Sequence, residues 1–332
     1  NDVSYFVSMG DHYGSRRVND WSIYFPGTCV PCQHAWSTAG DVFDFLVLGT
    51  RDAIGITSYV RVHDNIHGTG LMSPCEANSH CFDIADGKEH PEFLGTIWMG
   101  WPDASGLTRE LGHGLLGIGT TDFPGPGQEA WNSQISDEID GDTTLSGPLL
   151  APLWDPTRGW PHAVLLENAD GERGQPTIKR DPSGEFRLVS ADKAANVWSD
   201  IFLYMMGLIP AEAVDETFYK LINLTLNDCV EEDENLVCHD DHVTAEKVVS
   251  FTVDDFVEQF GTWSAEKTLK PSSLKLGILN ISDRRHTTAE ITFLTKVYRE
   301  YAESNEYQGQ WTNDTPWQYS TQGLGEITLI TQ

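Results

Sequence analysis

No run of apolar residues approaches the roughly 18–20 needed to cross a bilayer as a helix. The longest, Ile201–Ile209, is far shorter and begins beside Asp200. Basic residues are scarce: 21 Lys and Arg stand against 50 Asp and Glu, for a formal net charge of −29. A surface that negative repels phosphate backbones and anionic headgroups, so neither nucleic acid nor a membrane surface is an expected partner. It suits saline water, where charges are screened over roughly 8–10 Å, and it is compatible with holding Ca²⁺. There is no Gly-rich phosphate loop, no G-x-S-x-G elbow, no internal repeat and no low-complexity tract. A serine or cysteine nucleophile therefore has no supporting constellation.

What is present is a globular composition. Hydrophobic residues are 39% and charged residues 21% of 332, which excludes a disordered chain and supplies a core for two domains, or one large domain with an added lobe. The chain opens at Asn1 with no initiator methionine and no leader-like segment, so any export signal is expected to have been removed. The six cysteines fall in close pairs, Cys29/Cys32, Cys75/Cys81 and Cys229/Cys238. Spacing does not select among the connectivities, but local pairing is the expectation, each bridge closing a small loop. Cys29-Val-Pro-Cys32 has redox spacing, yet it follows Pro26-Gly27-Thr28 with no helix behind it, and reads as a staple. Sequons at Asn223, Asn280 and Asn313 permit glycosylation. A secreted or cell-surface protein is expected.

Periodicity places strands at 44–49, 54–62, 93–99, 275–281 and 326–330. It places helices from about Asp103 or Ser105 through Leu107, Leu111 and Leu115, then at 197–208, 211–223, 252–260 and 288–302, the last beginning at Thr287 or Thr288. Residues 118–195 read as loops forming a cleft wall, and 227–242 as an acidic loop pinned by Cys229 and Cys238. The tail aromatics Trp311, Trp317 and Tyr319 form a candidate contact patch.

Chemistry concentrates in Leu107-Thr-Arg-Glu-Leu-Gly-His-Gly-Leu-Leu-Gly117. Zincin hydrolases carry His-Glu-x-x-His on a helix: the two imidazoles bind Zn²⁺ from one face and the glutamate polarises the metal-bound water. Glu110, Gly112 and His113 stand where that motif needs them, but Arg109 replaces the first histidine. A guanidinium has five donors and no lone pair, so Arg109 cannot ligate. At ~4 Å and an effective dielectric of about 20, its charge also opposes a dication by several kcal/mol. The usual zinc mode is thereby abolished, and Arg109 is expected to fill the vacancy by pairing with Glu110 or with an acid that once coordinated.

With these residues the chain resembles secreted bacterial zincin-like metallopeptidases whose helix reads His-Glu-Leu-Gly-His. Phe43-Asp-Phe-Leu-Val-Leu48 and Val62-His-Asp-Asn-Ile-His-Gly-Thr-Gly70 are similar to that family's strand and turn, and Leu203-Tyr-Met-Met-Gly-Leu-Ile-Pro210 to its helix end. The match spans roughly 42–215, with 243–302 a looser continuation. The resemblance implies an α+β, zincin-like fold, with a mixed β-sheet packed on the active-site helix, the 197–208 helix across a cleft, and a C-terminal mainly helical lobe. The corresponding segments are an aromatic, turn-rich stretch at 1–41, a core at 42–215 and a lobe at 216–332. It assigns Glu110 as a vestigial general base and His113 as a metal ligand. Gly119 occupies the place of a metzincin-type third histidine, and Phe202 stands where the family helix often has an acid directly before Leu-Tyr.

Two departures, Arg109 and Phe202, point to a catalytically inactive homologue. Such a protein would act by binding proteins or peptides, or as a structural, self-assembling surface or filament component built from copies of itself. The alternative is an active metallopeptidase using substitute zinc ligands: His113, His162 and an acid. Asp122 and Glu129 are near enough in sequence to line the site; His63 and His67 are spaced as a helical metal pair but sit in strand-to-turn sequence. Asp137–Asp142 lacks the alternation of an EF-hand. The acids 231–234 with His239-Asp-Asp-His242 are a further Ca²⁺ candidate, read against a solvated loop.

Overall fold

A computed structural model describes residues 6–8, 35, 37–40, 42–50, 58–61, 95–99, 106–116, 144, 153, 155, 157–158, 162–190, 197–260, 272–282, 285–306 and 315–330. It is a mixed α/β structure with several sheets and few helices, compatible with an α+β class. The chain forms two compact units. The first comprises Asn1–Gly117, Met205–Leu208 and Trp263–Gln332; the second, Ile118–Tyr204 and Ile209–Thr262. Position 215 lies inside the second unit, and the segment after it contributes to both.

The first unit is built on a six-stranded sheet. Its strands are β1 (Phe6–Ser8), β2 (Phe45–Thr50), β3 (Ser58–Arg61), β4 (Gly95–Met99), β13 (Ser273–Ser282) and β14 (Glu326–Ile330). Strand β13 runs parallel to β2 on one side and to β1 and β14 on the other. Strand β4 is parallel to β2, and β3 closes the edge antiparallel to β4. Phe45, Leu46, Val47 and Leu48 are all buried, as a parallel strand covered on both faces requires. Gly49 lies opposite Asn280, and a Cβ there would fall 2.5 Å from Asn280 Oδ1, so a larger residue would have to displace that amide. Helix α1 (Leu107–Leu116) packs on β3 and β4, with Leu107, Leu111 and Leu115 fully buried. Helix α4 (Thr288–Glu303) starts at a capping box between Thr287 and Glu290 and packs on β14 and the short α5 (Trp317–Ser320).

The second unit stacks two four-stranded sheets on one core. One contains β5 (Val164–Glu167), β6 (Arg173–Gly174), β10 (Cys229–Glu232) and β11 (Asn235–Cys238). The other contains β7 (Pro176–Arg180), β8 (Phe186–Ser190), β9 (Phe218–Leu226) and β12 (His242–Phe251). Val164, Ile178, Leu188, Leu221, Leu224 and Val243 meet between them. Helices α2 (Asp200–Met205) and α3 (Val253–Phe260) flank β9 and β12 in sequence, and Tyr204 of α2 meets Phe256 of α3 edge to face.

Several expectations are corrected. The C-terminal region is not mainly helical: 218–251 is chiefly strand, and β13 and β14 complete the first unit's sheet. The helix expected at 211–223 is a single 3₁₀ turn at Ala211–Ala213 followed by β9. The helix at 197–208 spans only Asp200–Met205. Residues 162–190, expected as loop, carry β5 to β8. The acidic loop is the β10–β11 hairpin, turning through Asp233 and Glu234, both at positive φ. That is the signature of a two-residue type I′ turn, and the usual Asn-Gly cue is missing. Trp317 is fully buried and Tyr319 half-buried, so they do not form an exposed patch; Trp311 lies outside the described residues.

Candidate functional site

Helix α1 is held at fixed depth by buried residues that carry no chemistry. Its leucine stripe is inside, and Thr108, also fully buried, is tied to two other elements. The Thr108 hydroxyl donates to the Thr315 carbonyl at 2.5 Å and contacts the Tyr301 hydroxyl of α4 at 2.6 Å. Having spent its one proton on Thr315, Thr108 accepts from Tyr301. The next two residues are Arg109 and Glu110.

Adjacent residues on a helix point about 100° apart and do not ordinarily meet. Here the long Arg109 side chain turns back, and its Nη1 lies 3.1 Å from Glu110 Oε1. Glu110 is 3% exposed and Arg109 41%. The guanidinium thus compensates a buried carboxylate that would otherwise be costly to desolvate, as the sequence led us to expect. His113 follows Glu110 on the same helix face; its backbone is helical, and its side chain lies outside the described residues. Phe202 is buried edge to face against Trp198, with ring centroids 5.8 Å apart. A hydrocarbon ring offers no lone pair to a metal.

His162 belongs to the second unit. Its Nδ1 lies 2.7 Å from the Glu234 carbonyl, and because a carbonyl only accepts, Nδ1–H donates. Its role in this structure is to clip the tip of the β10–β11 hairpin. The same hairpin is held by Arg158 on Glu231 and by Arg173 on Glu232, and Cys229 is bonded to Cys238 across its first residue pair. Local pairing is therefore realised for this cysteine pair. Asp155, fully buried, anchors Arg158. Burial alone would raise its pKa, but bonds from the Thr157 hydroxyl and backbone N–H and from Arg158 hold it below the ordinary value.

Asp240, Asp241 and His242 gather ligand-type atoms within 4.8 Å of one another. His242 Nδ1 lies 2.8 Å from Asp240 Oδ1 and 3.3 Å from Asp241 Oδ1, and Nε2 lies 3.7 Å from Glu185. These bonds to His242 lower the Asp240 pKa. Arg187, paired with His242 in the strand register, bonds Asp181, Glu185 and Asp241. Arg187 thus already engages Asp241, one of the three candidate ligands, and the group forms part of an ion-pair network. The sequence reading grouped 231–234 with 239–242; the fold separates them and brings in Glu185 and Arg187, which only cross-strand register could reveal.

Asn223 is exposed at φ 53°, its amide donating to Glu246, whereas Asn280 Oδ1 is buried against Gly49. The remaining candidates (Cys29, Cys32, Cys75, Cys81, His63, His67, Gly119, Asp122, Glu129, Asp137–Asp142 and Asn313) lie outside the described residues. No family model, no curated protein and no solved structure matches the chain.

Proposed function

We propose that this chain is a zincin-like metallopeptidase homologue that does not hydrolyse peptides and works outside the cell by binding proteins or peptides, its own copies included. One observation carries the reading: the glutamate that would polarise a metal-bound water is buried and paired with the guanidinium standing in the first ligand's place, at 3.1 Å. That pairing gives Glu110 a structural partner in place of a catalytic one. Further support comes from a mixed sheet with the motif helix packed on β3 and β4, and from Phe202 where a ligating acid would stand. The Cys229–Cys238 bond fits an oxidising, extracellular setting.

Metal analysis of the purified chain together with a casein-cleavage assay tests this. We expect no stoichiometric zinc and no chelator-sensitive cleavage. One tightly held zinc per chain, with cleavage lost in Glu110→Gln, would establish the alternative of an active peptidase with substitute ligands.

A further inference from the structure

We infer that the Arg109 guanidinium is a carboxylate-binding site, with Glu110 as its anchor and a peptide bearing a single carboxylate as its ligand. This rests on the non-catalytic reading above and supplies the ligand class that reading lacks. Only Nη1 is engaged, by Glu110; among the described residues, Nε and Nη2 have no hydrogen-bond partner. Those two nitrogens share one edge of the planar group, the edge a carboxylate grips through two parallel bonds.

The contrast is with three arginines of the second unit; a fourth, Arg180, has no carboxylate partner among the described residues, but it spends its nitrogens on the Gly184 carbonyl and the Tyr219 hydroxyl and lies over that ring. Arg158 holds Asp155 and Glu231, Arg173 holds Glu167 and Glu232, and Arg187 holds three carboxylates. In a chain with 50 acids and 21 bases, Arg109 is 41% exposed, and among the described residues no second acid has captured it. Its anchor is 3% exposed on a helix fixed by buried leucines and by Thr108. Part of the ordering cost of a long side chain is therefore met before a ligand arrives. The net charge of −29 repels polyanions over roughly a Debye length. A neutral or basic peptide with one carboxylate fits both the local cation and the global field. That carboxylate belongs either to a chain terminus or to a side chain, and the experiment separates the two.

The full chain, ¹⁵N-labelled, is titrated with three alanine–lysine pentapeptides. One has a free C-terminus, one is amidated, and one is amidated with a central glutamate. The readouts are the Arg109 Nε–H resonance and the dissociation constant. We expect at least one free-carboxylate peptide to shift Nε–H and to bind about tenfold or more tighter than the amidated control, the range of one charge-assisted pair. Which of the two binds identifies the source. The double variant Arg109→Gln with Glu110→Gln, a neutral pair, is expected to lose the difference while keeping its circular dichroism. Equal binding of all three peptides, binding of none, or a double variant that discriminates like the parent would overturn the inference. Zinc and peptide cleavage are measured on the same preparation. Their presence defeats the non-catalytic reading, whereas their absence without carboxylate discrimination defeats this inference alone.

Discussion

The two units of the chain are held together by different physics. In the first, consecutive apolar residues of β2 are buried on both faces of a parallel sheet, and the register carries that burial to the neighbouring strands, pairing Leu48 with Leu279 of β13 and Val47 with Ile97 of β4. In the second, much of the specification lies at the rim: Arg158, Arg173 and Arg187 each bridge carboxylates, Asp181 closes the β7–β8 turn, and a disulfide clips a hairpin. Burial depends little on pH and salt, whereas networks of half-exposed charge depend on both. The contrast teaches where, among the described residues, sensitivity to pH and salt concentrates: least in the β2 core, although the first unit also carries the Arg109–Glu110 and Lys296–Glu300 pairs, and most at the rim of the second unit.

The largest expected effect breaks the first unit. Leu48→Ala removes a fully buried side chain from the middle of β2 and should cost roughly 2–5 kcal/mol, read from urea unfolding of that unit by amide exchange at 45–50. Next, replacing Cys229 and Cys238 together by serine should cost about 2–3 kcal/mol, because the closed loop is short. Exchange protection should fall chiefly at 229–238, and a loss centred on β2 would refute the division.

Acidification should sharpen the contrast further. Bonds from the Ser183 hydroxyl and Arg187 hold Asp181 far below the usual carboxylate range, and Asp155 and Asp240 are also lowered. Below a pH of ~4 the unfolded chain then binds more protons than the folded one. These groups contribute stability above that range and lose it as the pH falls toward their folded values. Amides of 176–190 and 241–243 should therefore lose protection at a higher pH than those of 45–50. The smallest effect is Arg187→Gln, expected to lower the urea midpoint of the second unit only slightly because the network is open to water, and less still in high salt.

Legibility in the sequence follows the same division. The strands at 45–50, 95–99, 273–282 and 326–330, and the helices at 253–260 and 288–303, were readable because burial imposes an unbroken period. Strand β9 was not. Phe218, Leu221 and Leu224 are its buried residues, a spacing of three that imitates a helix. Asn223 at φ 53° interrupts the alternation, since Ile222 and Leu224 have register partners in β12 and Asn223 has none. The Asp233-Glu234 turn was hidden for a related reason, since charge at these positions reads as solvation. Of the candidate site, the Arg109–Glu110 pairing could be foreseen from chemistry alone. The Thr108–Tyr301–Thr315 tether could not, because its members lie about two hundred positions apart.

Strand β13 also sets an order of events during synthesis. Asp44 and Lys275, where β2 meets it, are 231 positions apart, and its other flank is covered by segments from opposite ends of the chain. On the ribosome, β2 emerges long before its central neighbour exists. Loops of that span close slowly and leave an apolar strand edge unprotected meanwhile. Nascent chains should therefore lean on holding chaperones until residues 273–282 have left the ribosome.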